Sequence, residues 1–137
     1  MARNTGTGAV LEQMVLHSLE FGGYMIERQV RLTKRLGGGR HYGDVVANKD
    51  GVRIIISLKW QQTSGTAEQK VPYEYMCLAE VLARDPNIHK AYIVIGGDGW
   101  TKDSFFLNGL SDWVNTEENV EVVRLDTFVA KANHGKL

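Results

Sequence analysis

An aspartate and a lysine, Asp44 and Lys59, lie on the two sides of an Asp50-Gly51 turn signal in this 137-residue sequence. Asp-Gly between two stretches rich in β-forming residues predicts a β-hairpin, so the two side chains can point to the same side of one sheet. A carboxylate in such a place can hold Mg²⁺, and an ammonium can orient a water and stabilise developing charge. Hydrolysis of a phosphodiester has these requirements.

The same two residues have a simpler interpretation, an exposed cross-strand ion pair of little energetic value. The apolar run Ile54-Ile55-Ile56 before Lys59 argues against it, because such a run is typical of a strand that is buried on both faces. A charge beside a buried strand needs a reason. We therefore take Asp44 and Lys59 as a candidate site, and Ser57 shares a face with Lys59 because the two are two residues apart.

Hydrophobic periodicity predicts the elements that position these residues. A capping-box spacing at Thr66 and Gln69 marks the start of the second helix, although Pro72 leaves its first residue open. The expected order is helix, three strands, helix, strand, helix, strand, over residues 10–21, 24–32, 41–47, 52–60, 66–82, 91–95, 105–114 and 120–125. This order predicts an α/β fold with a mixed sheet flanked by helices, in one domain that spans residues 1–137.

Charge is balanced over the chain but is uneven along it. Lysine plus arginine and aspartate plus glutamate each number 16, so a uniformly basic nucleic-acid-binding surface is not expected. Residues 28–40 nevertheless hold five basic residues and no acid, which predicts a local phosphate-binding strip. Within it, Lys34, Arg35 and Arg40 flank three glycines.

Three other features limit the classes of function. The single cysteine, Cys77, lies in an apolar stretch and is expected to be a buried thiol without a disulfide. The histidines have no ligand-like spacing, so a structural zinc site is not expected. The N-terminal residues lack the pattern of a secretion signal and no apolar run reaches membrane-spanning length, from which we expect a soluble intracellular protein.

A resemblance covers nearly the whole chain. The segment GRHYGDVVANKDGVRIIISLKWQ resembles the PD-(D/E)XK nuclease signature, with Gly43-Asp44 in the place of PD and Ser57-Leu58-Lys59 in the place of the (D/E)XK tripeptide. The predicted element order is similar to the restriction-endonuclease-like core of that family, αβββαβαβ. An acid on the first helix often joins the family's site, and Glu12 occupies the corresponding position.

The sequence departs from the family pattern at Ser57, which lacks the carboxylate of a metal ligand. Some restriction enzymes of the family also have a serine-x-lysine tripeptide and supply the acid from the following helix. Here Glu68 and Glu74 are the candidates for the migrated acid, and the family's usual spacing narrowly favours Glu74. An equally simple interpretation is that these acids only stabilise the start of the helix, with Glu74 paired to Lys70 four residues earlier.

By this resemblance, Asp44, the migrated glutamate and the Leu58 carbonyl hold Mg²⁺, for which Mn²⁺ can substitute. Lys59 orients the attacking water, and Glu12 holds a second cation or a bridging water. Gln61 and Gln62, together with the basic strip, are expected to contact DNA. No organic cofactor and no membrane contact are expected.

The resemblance implies a DNA endonuclease of the restriction, homing or phage type. Duplex DNA is the expected substrate, and a homodimer is expected because one small domain carries one site while a duplex has two strands. Two alternatives stay open, a Holliday-junction resolvase and a catalytically inactive DNA-binding module of the same fold. The resolvases tend to be more basic and keep an acid where Ser57 stands.

Overall fold

The computed structural model describes residues 5–137, with side chains described from residue 8 onward. Its strands and helices are α1 Thr5–Phe21, β1 Met25–Arg31, β2 Tyr42–Lys49, β3 Val52–Trp60, α2 Ala67–Arg84, β4 Lys90–Gly96, α3 Asp103–Asn108, α4 Leu110–Trp113, β5 Val120–Arg124 and α5 Leu125–Asn133. Across residues 5–137, no helix is both long and apolar enough to cross a membrane.

The strands form one sheet in the order β1-β2-β3-β4-β5. The first three strands pair antiparallel, and β3, β4 and β5 pair parallel, with helices in both parallel crossovers. A parallel connection needs such a crossover, whereas antiparallel neighbours need only a turn. The predicted α/β fold with a mixed, helix-flanked sheet is confirmed.

Both faces of the sheet are buried under helices. Alternation along β3 sends Ile54 and Ile56 into a core with α1 and α5, and Ile55 into a second core with α2, α3 and α4. The continuous apolar run in β3 is explained by this burial, because neither face of the strand meets water. Cys77 is buried on α2, as expected.

The β2–β3 hairpin is confirmed at the predicted turn. Asp50 and Gly51 both have positive φ, 53° and 81°, which is the backbone of a type I′ turn. The turn fixes a register in which Lys49 pairs with Val52 and the ladder continues to Val45 and Ile56. The turn therefore determines that Asp44 and Ser57 are the first residues beyond the paired part of the hairpin.

Three details differ from the sequence prediction. The helix expected over residues 105–114 is divided at Gly109 into α3 and α4, since glycine is a poor helix former. A helix that was not predicted, α5, follows β5 directly and buries Phe128 and Ala132 against the sheet. The capping box was wrong: α2 begins after Thr66 and runs through Pro72, but within the described structure the Thr66 side chain makes no cap hydrogen bond.

Candidate active site

The carboxylate of Asp44 lies where β2 and β3 separate. The main-chain ladder between these strands ends at the Val45–Ile56 pair, so Asp44 is the first β2 residue outside the ladder. Beyond that pair the Asp44 Oδ2 atom accepts a hydrogen bond from the Leu58 main-chain N–H, at 2.7 Å. A side-chain oxygen thus satisfies a strand N–H at the opening of the hairpin, and the carboxylate is held in one orientation.

The Asp44 carboxylate is in an environment that disfavours its charge. Burial raises the pKa of Asp44, and the nearby Glu74 and Glu12 raise it further, against the lowering effects of the Leu58 hydrogen bond and Lys59. A bound cation stabilises crowded, partly dehydrated carboxylates, because it neutralises their charge. The electrostatics at Asp44 therefore suit a bound cation.

Glu12 and Asp44 line one cavity. Its volume is about 200 Å³, and its walls are Gly8, Leu11, Glu12, Gln29, Asp44, Leu58 and Trp60. The Glu12 carboxylate also pairs with Arg28 on β1, whose Nη2 atom lies 3.0 Å away. The structure thus brings the acid of the first helix beside the acid of the hairpin.

A second cavity adjoins the first, since Gly8 and Trp60 line both. It measures about 490 Å³ and continues along Gln62, Thr63, Thr66 and Ala67 towards the start of α2. The two cavities form a groove that leads away from Asp44. Its hydroxyl and amide groups suit hydrogen bonding to a polar ligand.

Lys59 lies on the α2 side of the site. Its Nζ atom donates to the Ser57 hydroxyl at 3.3 Å, and its charge lowers the pKa of both Asp44 and Glu74. Ser57 is fully buried, so its hydroxyl is a fixed acceptor for the lysine ammonium. The serine at the place of the missing acid thus positions Lys59 through a hydrogen bond, which a hydroxyl can accept.

Glu74 is buried on α2, and its carboxylate contacts two basic side chains. Arg35 Nη1 donates to Oε1 at 2.8 Å, and Nε2 of the fully buried His41 lies 3.3 Å from the carboxylate. Burial by itself raises the pKa of Glu74, but His41, Lys59 and Arg35 outweigh burial and hold it at about 2. Glu74 is therefore ionised at every physiological pH.

Glu68 has a different set of contacts. Its carboxylate accepts hydrogen bonds from the Thr101 N–H and hydroxyl and from the Lys102 N–H, at the start of α3. Burial raises the pKa of Glu68, but these hydrogen bonds outweigh it and lower the pKa overall. Both oxygens of Glu68 thus join α2 to the loop before α3.

The other residues expected to contact DNA are dispersed. Gln61 is buried, and its side-chain amide donates to the Gly99 carbonyl at 2.8 Å. Gln62 is exposed on the wall of the second cavity. Lys34 and Arg40 are exposed in the loop between β1 and β2, whereas Arg35 of the same loop reaches back to Glu74.

The donor set fits a hard divalent cation. Asp44 and Glu12 offer carboxylate oxygens to one cavity, and Leu58 lines it as well. Within residues 5–137, no group of three or more acidic, histidine or cysteine side chains is arranged to hold a metal ion. Mg²⁺ needs no such cage, because it is bound through one or two carboxylates and keeps several waters.

Two residues that have no predicted role belong to this neighbourhood. His41 faces Glu74, and Gln29 lies on the wall of the cavity that holds Glu12 and Asp44. His41 precedes Asp44 by three residues, which is a weak signal at most. No sequence signal identifies Gln29, since its place in the site depends on an unusual backbone conformation.

Comparison with known proteins gives a family and a fold. The model of the PD-(D/E)XK nuclease superfamily domain matches residues 3–136. Among solved structures, the chain is similar to the protein of unknown function AF1548, with a TM-score of 0.54 and 16% identity over 84% of this chain. The chain spans 58% of the length of that protein, and at this identity the likeness concerns the fold alone. The comparison with curated proteins gives no match.

Proposed function

Because this chain belongs to the PD-(D/E)XK nuclease superfamily, we propose that it is a Mg²⁺-dependent endonuclease that hydrolyses phosphodiester bonds in duplex DNA. The geometry of Asp44 carries the proposal. Its carboxylate is held at the open end of a β-hairpin, beside Glu12 in one cavity and within the field of the Lys59 ammonium. Mn²⁺ is the expected substitute for Mg²⁺.

In this proposal Asp44, Glu74 and the Leu58 carbonyl hold the cation, and Glu12 holds a second cation or a bridging water. A bound divalent cation supplies neutralisation of the scissile phosphate and acidification of a water. Lys59, held by Ser57 at 3.3 Å, donates to the attacking water or to the phosphate oxygen on which charge develops. The groove along Gln61 and Gln62 accepts the DNA strand, and Lys34, Arg35 and Arg40 contact its phosphates from the separate loop between β1 and β2.

The contacts of the two glutamates support Glu74 as the migrated acid. Glu74 interacts electrostatically with both Asp44 and Lys59, whereas the hydrogen bonds of Glu68 go to residues 101 and 102. Because Glu74 is ionised and its carboxylate is fixed by Arg35 and His41, it presents negative charge without a conformational search. Ligation by Glu74 requires that Arg35 give up its bond, and a DNA phosphate is a suitable new partner for that arginine.

A second candidate is a non-catalytic DNA-binding module of the same fold. Two observations favour it: Ser57 replaces an acid, and Arg35 already neutralises Glu74. This candidate predicts that the chain binds DNA but no divalent cation. Titration calorimetry with Ca²⁺ on the wild type and on Asp44→Ala separates the two, because a nuclease site binds Ca²⁺ only when Asp44 is present.

We also propose that the active form is a homodimer, since cleavage of both strands of a duplex requires two sites. Large apolar side chains stay exposed on α1 and at the start of β1, among them Phe21 at 81% and Met25 at 75%. Exposed apolar side chains of this size suit an interface between two protein copies. Sedimentation equilibrium across a concentration series tests the oligomeric state.

Cleavage of supercoiled plasmid in Mg²⁺ or Mn²⁺ tests the nuclease function. We expect cuts by the wild type, loss of cutting in Asp44→Ala, Lys59→Ala and Glu74→Gln, and retained cutting in Glu68→Gln, the matched control on the same helix. A branched four-way DNA tested in parallel distinguishes a resolvase, which cuts the junction and leaves the plasmid intact. A folded wild type that cuts neither substrate contradicts the endonuclease.

A further inference from the structure

Gln29 has an exceptional backbone within β1. Its φ is 52°, in the left-handed region, although the residue is not glycine. The flanking residues keep the β1–β2 register, with Arg28 opposite Val45 and Val30 opposite Gly43, but Gln29 itself, which falls opposite Asp44, forms no ladder pair. The distortion of β1 is therefore centred beside the acid of the candidate site.

The left-handed backbone of Gln29 has no local explanation of the ordinary kind. Left-handed positions favour glycine, and asparagine or aspartate next, because a longer side chain gains no local hydrogen bond there. The other such non-glycine residue among residues 5–137 is Asp50, which the type I′ turn requires. Gln29 is exposed, so burial does not offset its strain. Strain of this kind concentrates at functional sites.

The distortion places Gln29 on the wall of the 200 Å³ cavity with Glu12 and Asp44. The charged groups that line this cavity are acids, and a DNA phosphate entering it is also an anion. A primary amide can donate two hydrogen bonds to phosphate oxygens, without a charge that would compete for the carboxylates. Arginine at the same place would pair with those acids, as the neighbouring Arg28 does with Glu12.

We propose that Gln29 is a substrate-contacting residue whose side-chain amide donates a hydrogen bond to a phosphodiester oxygen of the DNA bound beside Asp44. This inference rests on the proposed function and adds a neutral donor to its site. In this proposal the strained backbone serves to bring the amide to the cavity wall that Gln29 shares with Asp44. Glycine at this position keeps the backbone and removes the amide.

The test compares Gln29→Gly and Gln29→Asn with Asp50→Gly as a matched control. Asp50→Gly relieves a similar left-handed φ, 53°, at the opposite end of β2, six residues from Asp44 and therefore about 20 Å away. Three quantities are measured: the thermal midpoint, the affinity of the free protein for Ca²⁺, and the affinity for a random-sequence duplex in Ca²⁺. Cleavage of plasmid in Mg²⁺ is measured in parallel.

We expect Gln29→Gly to keep or raise the thermal midpoint and to keep the Ca²⁺ affinity within twofold. Its duplex affinity should fall about tenfold or more, as expected for a lost hydrogen bond to a charged group. Gln29→Asn should lie between the glycine variant and the wild type, and Asp50→Gly should bind duplex normally.

Duplex affinity of Gln29→Gly within twofold of the wild type overturns the inference, as does an equal loss in Asp50→Gly. A wild type that binds duplex in Ca²⁺ but never cuts refutes the nuclease proposal, while the binding comparison still decides the role of Gln29. A wild type that binds neither Ca²⁺ nor duplex refutes both.

Discussion

Asp44→Asn should be more stable than the wild type in the absence of a divalent cation and less stable than the wild type in its presence. Asparagine keeps an oxygen that can accept the 2.7 Å hydrogen bond from the Leu58 N–H, so the hairpin opening is preserved. It removes a half-buried charge whose neighbours include Glu12 and Glu74. The variant therefore isolates the carboxylate charge from the local structure.

Without metal, the charge of Asp44 lowers the free energy of unfolding overall. Loss of the ionic part of the Leu58 hydrogen bond costs about 1 kcal/mol. Removal of the desolvation and repulsion that raise the pKa gains more than this, so we expect Asp44→Asn to raise the free energy of unfolding at pH 7 by about 0.5–1 kcal/mol. The pKa of Asp44 in the folded protein lies above its usual 3.8, so wild-type stability falls as pH rises from 3.8 through the folded pKa. Below pH 3.8 the carboxyl is protonated in both states, and the advantage of asparagine disappears.

With metal, the order is inverted. At a Ca²⁺ concentration of one hundred times the dissociation constant, the wild type gains about 2.7 kcal/mol by mass action, and the asparagine variant gains almost none. The assay is urea unfolding at pH 7 in EDTA and in Ca²⁺, with Asp98→Asn, an exposed aspartate, as the matched control. A variant less stable than the wild type by more than about 1 kcal/mol in EDTA refutes the electrostatic reasoning. An equal gain from Ca²⁺ in both proteins refutes Asp44 as a ligand.

The remaining predictions concern the groups around Asp44. Glu74→Gln should lower the free energy of unfolding at pH 7 by about 2–3 kcal/mol, because it breaks a buried ion pair. Since the pKa of Glu74 is lowered from 4.5 to about 2, this contribution is complete above pH 4.5 and is lost as pH falls through 2; an unfolding series in which the difference persists at pH 2 contradicts it. Lys59→Ala should reduce plasmid cleavage about 10²–10⁴-fold without weakening Ca²⁺ binding, because it removes a positive charge beside Asp44 and Glu74. Single-turnover kinetics and calorimetry check this, and residual cleavage near the wild-type rate would exclude the lysine from the chemistry. Arg28→Ala removes a pair with Glu12 whose arginine is 56% exposed, so stability should change by less than about 0.5 kcal/mol while Ca²⁺ binds several-fold more tightly; weaker Ca²⁺ binding would show that Glu12 does not face the cation.

Much of the fold is readable from the sequence for local reasons. The Asp50-Gly51 turn and the apolar run of β3 determine the hairpin and its burial. The three strands before α2 and the alternation of elements after them define a mixed sheet. α5 was not predicted, although Leu125, Phe128 and Ala132 have helical spacing, because the segment follows a strand without any turn residue between them.

The residue types of the candidate site also follow from local pattern. The hairpin predicts that Asp44 and Lys59 lie on neighbouring strands, whereas Glu12 is implied by the family resemblance, in which an acid on the first helix often joins the site. The two glutamates of α2 were not separable in this way, since both lie in a short polar stretch after β3. Their contacts differ because Glu68 meets Thr101 and Lys102 from a loop more than thirty residues later, whereas Glu74 meets Arg35 and His41 from the loop before β2.

The sequence by itself thus determined the fold class and the hairpin that carries Asp44 and Lys59 on neighbouring strands, because each depends on near neighbours along the chain. Only the tertiary structure decided which groups surround each acid. Arg35 and His41 come from a separate loop to ionise Glu74, and Gln29, with its left-handed backbone, lines the same cavity as Asp44. Burial and charge at one point in space sum over segments that are distant in sequence, so the electrostatics of the site exist only after the sheet and helices have packed.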